Sequence, residues 1–504
     1  MNPTEALNQD NPMNSTQPRS RIVLGVILLL PALFLCLTDL LIPTLRTFWL
    51  SLQSVGLFGE GGEFVGGENY ASLVKNPEFS QSLSFTISSL VIRLLVVMIV
   101  PPFLAWAAAQ LSRRVRFGLR VLLTLPVILF VPIAIAIAWV ILLTPASGLF
   151  SSALLGSPNG APAVLLFIDA LYTFGLACGL GLIFYLPVWR RRDDAPPLTF
   201  KETRKTLLAT WGISVLAVIV LSLSTFTLSF VMTGGGPGNN TSTLGLSLYR
   251  SGFVFLRFGP ATAIASILLL VTVTLGVMAG LLVIWTRLRL TTADTLAPSE
   301  QGDHQMDRQQ IKVLPSIVLV LTLILILGAC FLSILPFGWA TTQSFGENEF
   351  ARLLGEISPG RILVNTFIPP FIAAVVQLLT AYLAALSIGA LLPLGKRSEW
   401  LLLPFSPWLF ITPLPLSLVN ILSAQESGTL STFAGLISPI LVSVPALFIL
   451  TIFFLGRAPR WQRASTSSDS SKSAVFFRYL VLPSLPLVGV LFLLLLFMGW
   501  QDLF

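Results

Sequence analysis

The stretch TLLATWGISVLAVIVLSLSTFTLSFVMTGGGPGNNTSTLGLSLYR, residues Thr206 to Arg250, decides how the rest of the chain is read. It opens with an apolar run, Thr206 to Met232, longer than the roughly 20 residues of helix that cross a bilayer. It stops at Thr233-Gly234-Gly235-Gly236-Pro237-Gly238, because glycine costs backbone entropy in a helix and proline lacks the N–H. Such backbone is tolerated at membrane depth only against protein or a watery cavity. The end of the run is rich in hydroxyls, at Ser222, Ser224, Thr225, Thr227 and Ser229. Hydroxyls of this kind bond back to their own helix or hold neighbouring helices together. Clustered beside a Gly-rich break, they also suit a path for a polar solute.

Composition supports a membrane setting. Of 504 residues, 55% are hydrophobic and only 10% charged, and a soluble fold could not hide that much apolar surface. The net charge of +8 comes from basic residues in short clusters between apolar runs. No basic stripe with interleaved aromatics is present, so nucleic acid is not an expected partner. The three cysteines, Cys36, Cys178 and Cys330, lie inside apolar runs and read as small core residues. One histidine, His304, excludes a site built from several. No cofactor and no metal site are expected. No Gly-x-x-x-x-Gly-Lys-Ser/Thr loop occurs, so the chain is not expected to hydrolyse ATP itself.

The expected fold class is all-α: a polytopic helical membrane protein of about eleven spans in two related halves. The spans fall near 22–44, 82–110, 118–143, 163–188, 206–232, 262–285, 313–336, 363–392, 400–421, 431–455 and 475–500. With the N-terminus cytoplasmic, the inside segments hold 23 Lys and Arg and the outside segments 6, the thirtieth being Arg93 within a span. That asymmetry predicts this orientation. Residues 1–21 read as a disordered cytoplasmic tail and 22–285 as a first half of about six spans. A polar cytoplasmic linker follows at 286–312, then a second half at 313–504 of about five spans. Arg93 is an intramembrane charge and so a functional candidate, or the structural partner of Asp39 or Asp169. Tyr185, Trp189, Trp339 and Trp400, near span ends, read as interface anchors.

Several ordered motifs resemble one family, the permease subunits of bacterial ABC importers for carbohydrates, of the maltose and glycerol-phosphate type. In the first half they are Ser224-Thr225-Phe226, Phe230 through Gly234-Gly235-Gly236-Pro237, Asn240-Thr241-Ser242-Thr243-Leu244, Leu248 to Phe253, and Phe258-Gly259-Pro260-Ala261. Phe64 to Tyr70, Leu125-Pro126, Trp139 and Pro145 to Leu149 are similar to further parts of the same subunit. In the second half Asn365-Thr366, Ala381-Tyr382-Leu383-Ala384, Pro413 and Trp500-Gln501-Asp502 resemble its partner subunit. The resemblance implies two permease subunits fused head to tail and set in the bacterial inner membrane, in contact with lipid. It also implies two ATP-binding subunits inside and a solute-binding protein outside. Gly234 to Pro237 would form an outer loop, and the hydroxyl row Ser222 to Ser229 would line the path.

The family's cytoplasmic coupling loop has the form Glu-Ala-Ala, Asp-Gly, then Phe, Ile and Leu-Pro, and docks on the ATP-binding subunit. Counting back from Leu482-Pro483 places Phe477 and Leu480 on its apolar positions and Asp469 on its acidic one, with Ala464 and Ser470 departing from the pattern. In the first half only Phe200 matches, and Pro196-Pro197 would break a docking helix. The family would continue past Phe504 into a twelfth span. Two rival readings follow from the eroded loops: a degenerate permease acting as scaffold or regulator, and a transporter independent of ATP.

Overall fold

The computed structural model describes residues 19–54, 62–129, 132–143, 153–190, 198–290, 313–342, 358–467 and 471–500. The tail to residue 18, most of the linker (291–312) and Asp469 lie outside the described residues. Eight helical stretches among them are long and apolar enough to cross a membrane. They are α1 (Arg19–Leu50), α3 (Pro77–Ala109) and α6 (Gly160–Trp189), then α7 (Phe200–Leu223) together with α8 (Thr227–Thr233), and α10 (Phe258–Thr286). After the linker come α12 (Pro359–Leu386), α14 (Val444–Ser467) and α15 (Leu482–Trp500), the last entered through Lys472–Phe476. Between these lie α2 (Glu68–Lys75), α4 (Arg113–Leu129), α5 (Pro132–Leu143), α9 (Leu244–Tyr249), α11 (Val313–Thr342) and α13 (Ser417–Glu426). Many apolar side chains on these helices face outward, among them Leu95, Ile99, Phe103, Leu270 and Leu493, as a lipid-facing surface requires.

Three expected spans differ from the observed elements. The stretch 118–143 forms two helices, α4 and α5, the second starting at Pro132, which supplies the fixed φ of a first helical turn. The stretch 400–421 is a chain of tight turns with 3₁₀ pieces at Gly395–Leu402, Ser406–Trp408 and Leu414–Leu416, before α13 begins. Pro404, Pro407, Pro413 and Pro415 each remove a backbone donor, so no continuous helix can form there. The span expected at 431–455 starts at Val444 and runs to Ser467, since 437–443 is non-helical backbone.

The helices before and after the linker are interlocked. α1 packs on α12, with Leu29, Ala32 and Leu40 in one core with Ala381, Ala384, Leu447 and Leu450. α11 packs the other way, on α3, α5 and α6, with Leu319 and Ile326 in a core with Leu104 and Leu182. Each group of helices thus lends its first member to the other. In lipid there is no hydrophobic drive between helices, so association rests on close packing and interhelical hydrogen bonds. Two fully buried bonds reach across from α1: Ser387 Oγ donates to the Gly25 carbonyl at 2.6 Å, and Trp408 Nε1 donates to Thr44 Oγ1 at 3.1 Å.

α10 and the turn Ser406–Trp408 pack backbone to backbone. A Cβ on Gly276 would overlap the carbonyl oxygen of Ser406, and one on Gly280 would overlap Ser406 Cβ. Gly276 and Gly280 are four apart, so they lie on one face of α10 and let the turn sit against the helix backbone. The ends of the bundle carry ion pairs. Arg289 bonds Glu399 at one end, where Arg21 also lies 4.9 Å over the Trp461 ring, and Arg46 bonds Glu426 at the other.

Candidate functional site

The helix of the opening stretch breaks earlier than the glycines predict. α7 ends at Leu223, Ser224-Thr225-Phe226 is non-helical, and α8 runs from Thr227 to Thr233. Thr225 Oγ1 donates to the Ser222 carbonyl at 2.8 Å, giving the backbone a local alternative to the helix. The second stop is where the glycines put it. Gly234 caps α8 in the left-handed region at φ 59°, which a residue with a Cβ enters only at a cost. The loop it opens is closed on itself: Thr233 and Thr241 hydroxyls lie 2.7 Å apart, and Thr241 Oγ1 donates to the Gly236 carbonyl at 2.8 Å. Asn239 ties the loop outward, donating to Glu78 and accepting from Arg250.

The break lines a cavity of about 500 Å³ between α3, α6, α7 and the turn at 412–414. Ser222, Ser224, Thr225 and Thr227 are in its wall. Ser229 is not; it faces a much smaller pocket beside Ser89, Arg93 and Asp169. The hydroxyls of Ser222 and Ser224 are buried and have no hydrogen-bond partner among the described residues, and the same holds for Thr412 Oγ1 across the cavity. Buried hydroxyls without partners cost free energy, so three in residues that line the cavity from opposite sides suit a polar occupant. Thr412 belongs to the other non-helical segment, Ile411-Thr412-Pro413, so a break from each group of helices meets at this cavity. Gly245 of α9 wedges behind them: a Cβ there would lie 2.9 Å from Leu414 and 3.0 Å from the Thr225 carbonyl oxygen.

Arg93 finds Asp169, one of its two expected partners. Its Nε donates to Asp169 Oδ1 and Oδ2 at 3.1 and 2.9 Å, and its Nη2 to Oδ1 at 2.6 Å. Ser89 Oγ donates to the same carboxylate at 2.6 Å. The fork geometry and low side-chain exposure, 13% and 6%, make this a bidentate pair held at the cavity edge. Asp39 is elsewhere, accepting from Thr38 Oγ1 and from the Leu441 N–H. Tyr185 and Trp189 are buried, not interface anchors; the Tyr185 hydroxyl donates to Ser214 at 3.1 Å and the ring lines the cavity. The Trp400 side chain is exposed, and that of Trp339 is outside the description.

At the Arg289–Glu399 end the expected coupling residues separate by burial. Phe200 is the first residue of α7, 59% exposed, its helix started by Thr199 and Glu202, whose carboxylate accepts from the Thr199 N–H at 2.8 Å. Phe477 is 54% exposed, while Leu480 is fully buried and Pro483 half-buried in the first turn of α15. Beside them Trp461 of α14 meets Phe476 of the helix Lys472–Phe476 edge to face at 6.0 Å, which holds the two helices together.

Apolar outer faces, spanning helices and internal breaks around a mainly apolar cavity with a few hydroxyl-bearing residues in its wall define a multi-pass α-helical membrane protein. Its relatives are permease proteins of ABC transporters, as the motifs imply. It is 26% identical over 277 residues to the probable ABC transporter permease protein YurN of Bacillus subtilis, covering 51% of this chain and 94% of that one. It is 28% identical over 288 residues to the sn-glycerol-3-phosphate transport system permease protein UgpA of Pectobacterium atrosepticum, covering 53% and 96%. The UgpA of Escherichia coli O157:H7 is 27% identical over 287 residues, with the same coverage. No family model matches the chain. Nearly the whole of each relative thus aligns with about half of this chain. Thr412 is the cavity residue missed in the sequence; its signal was a hydroxyl beside a proline inside an apolar run.

Proposed function

We propose that this chain is the membrane-spanning permease of an ABC importer for a sugar or sugar-like solute. Its two groups of helices, 22–285 and 313–504 joined by 286–312, do the work of two permease subunits. The chain forms the translocation path, and ATP hydrolysis resides in two separate ATP-binding subunits on the cytoplasmic side. A solute-binding protein delivers from outside the bacterial inner membrane, with the N-terminus of this chain inside. The observation that carries the reading is the cavity where two broken backbones meet, walled by Ser222, Ser224 and Thr412 with unpartnered hydroxyls, the arrangement transporters use at solute sites. The similarity to UgpA and YurN supports the same class.

The path hypothesis gives a clear contrast between stability and transport. The Ser222→Ala, Ser224→Ala, Thr412→Val triple variant should be at least as stable as the parent, by about 1 kcal/mol or more, since these buried hydroxyls make no hydrogen bond among the described residues. Uptake of the sugar that supports growth through the system should fall severalfold. Unchanged uptake kinetics would return these residues to ordinary helix packing.

Coupling is tested by affinity purification with crosslinking. Phe477 is the exposed apolar contact of the second loop, and burying a phenylalanine stabilises by about 1.5–3 kcal/mol, roughly 10- to 150-fold in affinity. Phe477→Ala with Asp469→Ala should therefore deplete a copurifying ATP-binding subunit much more than Phe200→Ala. A crosslink from residue 477 to that subunit would also fix this end of the bundle as cytoplasmic. The eroded first loop favours a second reading, a degenerate permease serving as scaffold or regulator. It becomes the better account if no ATP-binding subunit is recovered from the intact protein after crosslinking.

A further inference from the structure

A second cavity, of about 840 Å³, lies between α1 and the helices after the linker, towards the Arg46–Glu426 end. Pro413 stands in the wall of both cavities, so one turn of chain separates them. The charges around this path are unevenly matched. Arg93, the charged residue of the first cavity, is spent on Asp169. Arg46, in the wall of the second, donates to Ser423 Oγ and to both carboxylate oxygens of Glu426. Those bonds hold the Glu426 carboxyl below the ordinary carboxylate range, so the pair stays ionised and internally balanced near neutral pH.

Asp39 is different. Its carboxylate lines the second cavity and accepts one hydrogen bond on each oxygen, from Thr38 Oγ1 at 2.7 Å and from the Leu441 N–H at 3.0 Å. Among the described residues no Lys or Arg lies within ion-pair distance of it. A carboxylate has about four acceptor positions, so half of them remain for an occupant. Asn420, in the same wall, is half-buried and its amide makes no hydrogen bond to the protein among the described residues. An acceptor-only group next to an amide that both donates and accepts matches the hydroxyls of a sugar or polyol. An anionic group would meet an uncompensated negative charge, with no unpaired Lys or Arg among the described residues of this cavity to receive it.

We propose that this second cavity is a binding position on the transport path for an uncharged polyhydroxylated solute, recognised by Asp39 and Asn420, and that it rejects phosphorylated ones. The inference rests on the permease reading, and it separates this chain from relatives named for sn-glycerol-3-phosphate transport.

The test is protection of a reporter thiol. Ser438→Cys, in the wall of the second cavity, is introduced where Cys36, Cys178 and Cys330 are alanine, and the full chain is labelled in lipid nanodiscs with a small thiol reagent. Glycerol, sorbitol and maltose are compared with glycerol 3-phosphate at equal concentration, with Thr225→Cys as a second reporter in the first cavity and Val74→Cys as an exposed control. At least one neutral probe should slow labelling of Ser438→Cys threefold or more, with no effect on Val74→Cys, and glycerol 3-phosphate should not. Adding Asp39→Asn, in which the amide oxygen can still accept one of the two bonds, should erase most of that preference, and Asn420→Ala should weaken the protection; Asp39→Glu should keep it. Protection of Ser438→Cys by glycerol 3-phosphate as strong as by glycerol overturns the inference. So does protection of Thr225→Cys alone, which leaves the permease reading standing. Protection of neither reporter by any probe overturns both.

Discussion

Replacing Gly276 or Gly280 with leucine is expected to abolish the folded protein in detergent, and alanine at either site to lower its melting point sharply. A Cβ at these positions meets Ser406 itself, one of them its backbone carbonyl, which cannot rotate away as a flexible side chain would. Overpacking costs about 1–3 kcal/mol even where neighbours can shift, and here the neighbours are α10 and a proline-bound turn. Gly118→Ala is the internal control. It too is a helical glycine, but a Cβ there has nothing within 4 Å, so alanine should be neutral or stabilise by up to about 1 kcal/mol. Melting is read by size exclusion after heating. If Gly276→Ala and Gly280→Ala melt with the parent, the turn at 406–408 does not pack on α10 as described.

The second large effect is expected at the buried ion pair. Removing one partner, by Arg93→Leu or Asp169→Leu, leaves the other charge unmatched inside the bundle, at a cost of about 3–5 kcal/mol. Removing both should recover most of that loss, because an apolar pair needs no compensation. Ser89→Ala, which takes one hydrogen bond from the same carboxylate, should cost less, about 1 kcal/mol. The double-mutant cycle, read as melting points and monodisperse yield, isolates the coupling. Single variants as stable as the parent would mean that the pair does not form in the membrane. A double variant that folds but no longer transports would give the pair a role in the path beyond holding α3 to α6.

Much of this was legible in the chain, for identifiable reasons. Apolar runs of spanning length gave the long helices, because a bilayer admits few alternatives. Asp169 was one of two partners open to Arg93, the choice resting on which helix face met α3. The glycine stop at 234 was readable because three glycines and a proline admit no helix. The break at Ser224 was not, since an isolated Ser-Thr pair is compatible with a helix and only the packing of α9 and the 412–414 turn decides otherwise. The stretch 400–421 has the hydropathy of a span, and its four prolines outweigh that hydropathy only when counted as missing donors. Which helices cross between the groups leaves no mark on hydropathy at all. Thr412 had no pattern around it beyond a neighbouring proline, so its place opposite Ser222 depends on that crossing.

The crossing also sets a schedule for how the molecule is made. Gly25 of α1 accepts its hydrogen bond from Ser387, 362 residues further along the chain. At roughly 5–20 residues per second, the ribosome reaches that serine about 20–70 s after α1 has entered the bilayer. Until then Gly25 lacks the Ser387 hydroxyl, and the carboxylate of Asp39 waits longer still for the Leu441 N–H. Had the two groups of helices been separate chains, that wait would end by a chance meeting at a rate set by expression. Joined by a linker, each copy of α1 is tethered to the partner it needs, so completion becomes a property of a single molecule and independent of its abundance.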